Sequence, residues 1–295
     1  AIYYPHFNYD YKQIHKEELI GGYLEGFDSI PLGGLINWFK QTKRSKFDRI
    51  TANQQELGQI LTDHGYYCIH INEECILNGK IESAANSPSL SIGSAKLKIL
   101  IFPMIETISL DLAKKIKEIS ERGIHIIFIE KIPNRQPDFL NWQENDKIIN
   151  QLIKDTKYLF LKSNAHVVDA IANRCQILPF IRLNQPIHRF GYIKKRYNDC
   201  TLYFIRNGCS KQITIEFSVQ EKNLYPYCLD LFDGTIQPYP FVEKNEQEIK
   251  MKVNFDCYQS LALIFKKESH ALGLSSEFEK SLNKKTKIHI PRLTF

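Results

Sequence analysis

The sequence predicts an α/β protein with an open, mostly parallel sheet flanked by helices, followed by a small antiparallel β-sandwich. Up to Pro179, short apolar runs alternate with segments whose apolar residues recur at helical spacing. After Pro186 the apolar period changes to two, and turn residues separate the runs at short intervals. Strand–helix alternation is typical of parallel sheets, and closely spaced strands are typical of sandwiches. The 295 residues are therefore expected to form two folded domains.

The clearest unit of the first domain is a strand, helix and strand over residues 97–130. Residues 97–102 form an apolar run that predicts the first strand. Ser109 is a suitable N-cap for the helix that follows, and Gly123 lies where a left-handed C-cap belongs. Residues 124–129 form the second apolar run. Two strands joined by one helix predict parallel pairing.

Similar patterns lie on both sides of this unit. Residues 54–63 predict a helix and residues 66–71 a strand, while residues 2–4 begin a first strand. Further along the chain, residues 146–154 predict a helix and residues 158–161 a strand. Helices on both faces of such a sheet are typical of flavodoxin-like and class I glutamine amidotransferase-like folds.

The predicted domain organisation has three parts. Residues 1–182 form the flavodoxin-like or amidotransferase-like α/β domain, and residues 183–270 form the β-sandwich. Residues 271–295 are polar and are expected to be a linker or the start of a truncated element. The six strands predicted in the second domain are residues 187–197, 201–206, 212–219, 225–232, 248–253 and 260–265.

Strands 201–206 and 212–219 are expected to pair as a β-hairpin. The dipeptide Asn207-Gly208 supplies a suitable turn, and apolar residues alternate along both strands. Cys200 and Cys209 flank this hairpin and would meet across it in an oxidising compartment. The seven cysteines form no C-x-x-C pair and are odd in number, so neither a zinc site nor a complete disulfide framework is predicted.

Composition narrows the classes of partner. Apolar residues make up 43% and charged residues 24% of the chain, which is ordinary for a soluble folded protein. The longest apolar run, residues 99–105, is far shorter than the ~20 residues needed to cross a bilayer, so no membrane partner is expected. The net charge of +6 comes mainly from dispersed lysines. No aromatic residues interleave the lysine clusters at 40–46 and 284–287, and no nucleic-acid partner is predicted.

The start of the sequence gives little information about the compartment. Ala1 leads directly into the first predicted strand, with no initiator Met and no signal-like segment. We expect either a processed protein or a part of a longer polypeptide. The sequence assigns no cellular location.

Three polar residues are expected at the carboxyl ends of the parallel strands, where ligands usually bind in such sheets. His6 follows the first strand, Glu106 follows the strand at 97–102, and Glu130 follows the strand at 124–129. Two carboxylates and a histidine at neighbouring strand ends would suit acid–base catalysis of a small substrate. The alternative is that these polar residues lie there only because loops are at the surface.

The sequence lacks the motifs of amidotransferases, of serine hydrolases and of dinucleotide-binding proteins. An amidotransferase needs a nucleophilic Cys on a tight turn after a strand, but this chain has Met104-Ile105-Glu106 at that position. No G-x-S-x-G motif occurs, and the pairs Gly21-Gly22 and Gly33-Gly34 do not form a G-x-G-x-x-G motif. We therefore predict neither a cofactor nor a metal ion.

Tyrosines of the second domain are candidates for contacts with sugars. Tyr225, Tyr227 and Tyr239 lie near predicted strands and turns, and an aromatic face can stack on the apolar face of a pyranose. Packing inside the sandwich explains the same residues equally well.

The second domain carries the motifs His188-Arg189, Tyr203-Phe-x-x-Asn207, Pro226, and Asp230 four residues before Gly234. These motifs resemble the C-terminal region of glycoside hydrolases of the α-L-rhamnosidase kind. Where that family often has Trp before the Asp of the last motif, this chain has Leu229. The first domain is similar to the same family at 2–5, 65–76, 97–103 and 110–129.

The resemblance implies a function without catalysis. In that family a catalytic barrel precedes an α/β domain, like one that helps β-galactosidases to trimerise, and then a small sandwich. This chain resembles the last two parts, so no catalytic carboxylate is carried over. The implied role is a C-terminal accessory region that serves assembly, domain packing or the shape of the substrate cleft. The implied partners are the catalytic domain of the same polypeptide, carbohydrate and further copies of the chain.

Two alternatives remain open from the sequence. The chain is a stand-alone carbohydrate-binding or interaction module, or it is a small-molecule hydrolase that uses His6, Glu106 and Glu130.

Overall fold

The computed structural model describes residues 1–3, 46–82 and 88–267, with side chains from residue 49 onward in the second of these ranges. His6 and the predicted segment 271–295 therefore lie outside the described residues. The chain divides into two compact units. One comprises Ala1–Thr62 and Cys68–Leu178, and the other comprises Asp63–Tyr67 and Pro179–Phe295.

Eight strands and four α-helices make up the described part of the first unit, followed by a helical segment at 164–174 with mixed helix types. The helices are α1 (Lys46–Asp63), α2 (Glu73–Leu77), α3 (Leu110–Glu121) and α4 (Trp142–Lys154). The strands are β1 (Ile2–Tyr3), β2 (His70–Ile71), β3 (Lys80–Glu82), β4 (Ser89–Ile92), β5 (Ala95–Leu97), β6 (Ile99–Pro103), β7 (His125–Ile129) and β8 (Leu159–Leu161).

A five-stranded parallel sheet forms the centre of this unit, in the order β2-β1-β6-β7-β8. Counted along the chain, its strands therefore follow the order 2-1-3-4-5. The inner strands β6 and β7 are apolar almost throughout because both faces of the sheet are buried. Phe102 and Phe128 are completely buried at neighbouring positions of these strands. The sequence-based expectation of a mixed α/β unit with parallel pairing is confirmed.

Helix α3 confirms the predicted cap residues. The Oγ of Ser109 accepts a hydrogen bond from the Leu112 backbone N–H at 3.0 Å. Gly123 has a φ of +85°, which glycine adopts without strain. Between these ends, the apolar face of α3 is buried against the sheet through Leu112, Ile116 and Ile119.

Three boundaries differ from the predictions for physical reasons. The predicted strand 66–71 pairs only at His70–Ile71, because Asp63–Tyr67 belong to the second unit. The predicted strand 97–102 begins at Ile99, because Leu97 pairs instead with Leu90. Helix α4 starts four residues before the predicted range, because the backbone N–H groups of Glu144 and Asn145 already donate to the Asn141 carbonyl.

The strands of the second unit are β9 (Ile181–Leu183), β10 (Phe190–Arg196), β11 (Cys200–Asn207), β12 (Ile213–Val219), β13 (Tyr225–Leu229), β14 (Ile236–Pro238), β15 (Glu243–Lys244), β16 (Ile249–Phe255) and β17 (Ser260–Lys266). They form two antiparallel sheets, β10-β11-β17-β13-β14 and β15-β16-β12-β9. Buried residues of both sheets meet in one core. The predicted strands are confirmed with shifted ends, and β9, β14 and β15 were not predicted.

The predicted hairpin of β11 and β12 is wrong. Strand β11 pairs with β10 and β17, and strand β12 pairs with β16 and β9, so the two strands lie in different sheets. The Asn207 side chain, which is almost completely buried, donates to the backbone carbonyls of Lys211 and Asp256 at 2.8 Å each. It also accepts from the Cys209 backbone N–H. Asn207 therefore fixes a connection between two sheets rather than a tight turn.

The expected contact between Cys200 and Cys209 is also wrong. Cys200 begins β11, whereas Cys209 lies beyond its other end at Asn207. At roughly 3.3 Å per residue, a strand of this length holds the two thiols far apart. Both are free, and the Cys209 thiol donates to the His188 carbonyl at 3.0 Å.

One carboxylate is buried inside the sandwich. Glu221 accepts from the Lys194 ammonium and the Tyr203 hydroxyl at 2.8 Å each, and from the Thr201 hydroxyl at 3.1 Å. Burial lowers the pKa of Lys194 and raises the pKa of Tyr203 well above its usual range. Because its polar partners surround it, this carboxylate is tolerated in an otherwise apolar environment.

The segment Asp63–Tyr67 is built into the second unit through its backbone. The Ile187 N–H donates to the Asp63 carbonyl at 2.9 Å, and the Tyr192 hydroxyl donates to the Gly65 carbonyl at 2.8 Å. Gly65 has a φ of +79°, and a Cβ at this position would lie 1.9 Å from the Ile181 carbonyl oxygen. Only glycine fits this approach.

We expect Gly65→Ala to lower the free energy of unfolding by more than about 3 kcal/mol, because a backbone clash adds to left-handed strain. Gly234→Ala is the matched control, since Gly234 has the same φ of +79° but no atom within 4 Å of the place that an added methyl group would occupy. It should cost about 1 kcal/mol. Urea unfolding of both variants measures the difference, and equal losses would contradict the assigned contact.

Candidate functional site

The candidate site lies at the carboxyl end of the parallel sheet. Glu130 directly follows β7, and Glu106 follows β6 by three residues. The loop after β6 is held by backbone hydrogen bonds from Ile108 to Arg135 and from Asn134 to Glu106. The structure therefore brings Glu106 and Glu130 to the ends of neighbouring strands. A role for His6 beside them stays a prediction.

Glu106 is held between two cations. Its carboxylate pairs with the Lys131 ammonium and, at 2.8 Å, with the Arg135 guanidinium. The Glu106 side chain is only 20% exposed. A partly buried carboxylate with two cationic partners forms charge-assisted hydrogen bonds, which suits a structural ion-pair cluster.

Glu130 belongs to a different set of hydrogen bonds. Its Oε1 accepts from the Asn53 side-chain amide at 2.9 Å. The Asn164 side-chain amide in turn donates to the Asn53 carbonyl at 3.2 Å and to the Glu56 Oε2 at 3.0 Å. These bonds connect helix α1, the carboxyl end of strand β7 and the helical segment 164–174. Glu130 also has a φ of +63°, a strained conformation for a residue other than glycine.

Two buried amide oxygens beside Glu130 remain without a partner. Within the described part of the chain, the Oδ1 atoms of Asn53 and Asn164 make no hydrogen bond. Both residues are buried, so each oxygen carries a desolvation cost until a donor reaches it. Such acceptors suit a bound water molecule. Sequence reasoning missed this cluster because Asn53 and Asn164 are 111 positions apart and form no motif.

The described residues offer no evident metal centre. Over 1–3, 46–82 and 88–267, no group of three or more His, Cys, Asp and Glu residues is placed to hold a metal ion. Within the same ranges, no helix combines the length and the apolarity needed to cross a membrane.

The three candidate tyrosines contribute mainly to packing. Tyr227 is only 8% exposed, and the Lys266 ammonium lies 4.6 Å from the centroid of its ring. The Lys244 ammonium lies 3.1 Å from the centroid of the Tyr225 ring. Tyr239 packs against the sandwich core, and burial raises the pKa of its hydroxyl. Sugar stacking by Tyr225, Tyr227 and Tyr239 stays a prediction that these contacts do not favour.

We expect Asn164→Ala to lower the free energy of unfolding by about 1–3 kcal/mol, because it removes both hydrogen bonds to Asn53 and Glu56. Asn173→Ala is the control from the same helical segment. The Asn173 amide donates to Asp169 at the surface, so its loss should cost less than about 0.5 kcal/mol. Thermal unfolding compares the stability of the two variants. A smaller loss of stability for Asn164→Ala than for Asn173→Ala would rule out that this cluster stabilises the packing of the three segments.

Comparison with known proteins relates the chain to glycoside hydrolases by fold. No protein-family profile and no curated protein sequence matches it. A rhamnosidase from Novosphingobium sp. PP1Y has a similar structure, with a TM-score of 0.55 and 13% sequence identity. The GH42 β-galactosidase Gan42B from G. stearothermophilus gives a TM-score of 0.47 and 10% identity. An α-L-fucosidase isoenzyme from Paenibacillus thiaminolyticus gives a TM-score of 0.43 and 8% identity.

In each case the similarity covers only part of the known protein. The matches include 70%, 79% and 72% of this chain, but 20%, 39% and 44% of the rhamnosidase, the β-galactosidase and the fucosidase. The chain therefore shares the fold of a portion of a rhamnosidase.

Proposed function

We propose that this chain is a non-catalytic accessory region of a carbohydrate-active glycoside hydrolase of the α-L-rhamnosidase kind. The observation that carries the proposal is the structural match of 70% of the chain to 20% of a rhamnosidase. A match to 70% of the chain is longer than either compact unit, so it is more specific than a match to one unit alone. The expected role is assembly, domain packing or the shape of a substrate cleft.

The topology of the first unit supports a flavodoxin-like assignment within this proposal. Its parallel sheet has the strand order 2-1-3-4-5, which is the order of the flavodoxin-like group. Folds of this group host many functions, so the chemistry has to be judged from the site.

The candidate site supports a role without catalysis. Glu106 is neutralised by Lys131 and Arg135, and Glu130 is engaged by Asn53. Both carboxylates are therefore already engaged by side chains of the same chain, as is typical of structural contacts. The proposed partners are accordingly a catalytic domain in the same polypeptide and further copies of the chain.

A small-molecule hydrolase that uses His6, Glu106 and Glu130 is the second candidate. The placement of Glu106 and Glu130 at adjacent strand ends favours it. The ion pairs of Glu106 count against it, because a catalytic carboxylate must change its protonation or bond to substrate during the reaction.

We expect the purified chain not to hydrolyse nitrophenyl α-L-rhamnoside, β-D-galactoside or α-L-fucoside, because neither Glu106 nor Glu130 is poised for acid–base catalysis. Release of nitrophenol measures the reaction over a range of pH.

Steady hydrolysis that Glu106→Gln or Glu130→Gln abolishes would contradict the accessory role and establish the second candidate. Glu121→Gln is the control for these variants, since Glu121 is exposed at the end of α3, away from the strand ends.

A further inference from the structure

The loop before helix α4, together with the first turn of that helix, presents large apolar side chains to solvent. Phe139 is 92% exposed, Leu140 is 78% exposed and Trp142 is 49% exposed. Every residue from 138 to 144 is exposed. Single exposed apolar residues are common, but three of them within four positions mark a binding surface. We call residues 138–144 the aromatic loop.

Hydrogen bonds underneath hold the aromatic loop in one conformation. The side-chain amide of Gln136 donates to the carbonyls of Asp138 and Leu140 at 2.8 and 2.7 Å. Its oxygen accepts from the Asn145 amide at 2.8 Å, and its backbone N–H donates to Asp146 Oδ1 at 2.8 Å. The rings are therefore presented by an ordered backbone, which lowers the entropy that is lost when a ligand binds.

Asn141 provides a polar group between the apolar ones. It occupies the N-cap position of α4 with a φ of +51°, yet its side chain makes no capping hydrogen bond. An asparagine at this position normally accepts from the first turn of the helix. Here its amide donor and acceptor stay available between Leu140 and Trp142. The exposed side chains of Asp138, Gln143 and Glu144 add further hydrogen-bonding groups around the rings.

The chemistry of the aromatic loop fits a neutral saccharide. A pyranose has apolar C–H faces that stack on aromatic rings and hydroxyl groups that both donate and accept hydrogen bonds. Asp138 and Glu144 make the surroundings acidic, which disfavours nucleic acids and other anions.

We propose that the aromatic loop is a carbohydrate-binding site, in which Phe139 and Trp142 stack on a neutral pyranose and Asn141 binds its hydroxyl groups. The choice of ligand class rests on the proposed function, since the chain shares its fold with part of a rhamnosidase. The site is remote in sequence from Tyr225, Tyr227 and Tyr239, whose rings are largely covered.

The hairpin tip between β13 and β14 supplies a matched control. Phe232 is fully exposed there, in a loop that is also ordered by hydrogen bonds. However, its neighbours Asp230 and Asp233 accept from the backbone of their own turn, so their carboxylates are already engaged. This loop offers an aromatic ring without a free amide beside it.

Isothermal titration calorimetry of the whole chain with L-rhamnose and with neutral rhamno- and galacto-oligosaccharides tests the proposal. We expect a saturable heat at millimolar sugar. Phe139→Ser and Trp142→Ser should each weaken binding by at least about tenfold, because each removes a stacking surface. Trp142→Phe should retain part of the affinity, Asn141→Ala should reduce it, and Phe232→Ser should leave it unchanged.

Two results would overturn the proposal. One is the absence of saturable heat for the unaltered chain with every sugar of the set. The other is binding that survives both Phe139→Ser and Trp142→Ser. Thermal unfolding of these variants separates a lost site from a lost fold, and substitution of the almost fully exposed Phe139 should leave stability nearly unchanged. The nitrophenyl glycoside assay tests the accessory role by a separate readout, so either idea can fail alone.

Discussion

The second unit depends on a close backbone contact made by Gly65, which is distant in sequence from the other residues of that unit. Gly65 lies against the Ile181 carbonyl at a distance that no side chain permits, and the Tyr192 hydroxyl donates to the Gly65 carbonyl. Because Asp63–Tyr67 belong to the second unit, a fragment that starts at Pro179 would lack part of that unit. The same contact explains why the expected strand at 66–71 is reduced to His70–Ile71. Any experiment on this protein therefore needs the chain as a whole.

Local signals in the sequence predicted local structure well, whereas pairing over long distances was beyond them. Ser109 and Gly123 marked the ends of α3 because a cap depends on residues only a few positions away. Alternation along β11 and β12 indicated which side chains are buried but not which strands are partners, so two strands of one sandwich core were taken for a hairpin. The cluster of Asn53, Glu130 and Asn164 joins three distant segments, and no spacing rule finds it.

At the candidate site, the position of the two carboxylates favours ligand binding, whereas their hydrogen bonds and ion pairs favour a structural role. The strand ends place Glu106 and Glu130 where ligands bind in many α/β proteins, but ion pairs and amide hydrogen bonds already engage both carboxylates. The side chains of the aromatic loop are not engaged in this way. Phe139 and Trp142 are exposed on an ordered backbone, and the Asn141 side chain makes no capping hydrogen bond. Carboxylates that are already hydrogen-bonded and an exposed aromatic loop are both compatible with the proposed accessory region, which would contact carbohydrate or neighbouring domains without performing hydrolysis.

The central claim is that this chain works as one part of a larger hydrolase, and the mass of the native polypeptide tests it most directly. An antibody raised against the purified chain would isolate the protein from its own cells, and mass spectrometry would give its intact mass and its N-terminal sequence. The account predicts a polypeptide much heavier than 34.5 kDa, with a catalytic domain before Ala1. A native polypeptide of about the mass of this chain would contradict it and would make the chain a stand-alone protein.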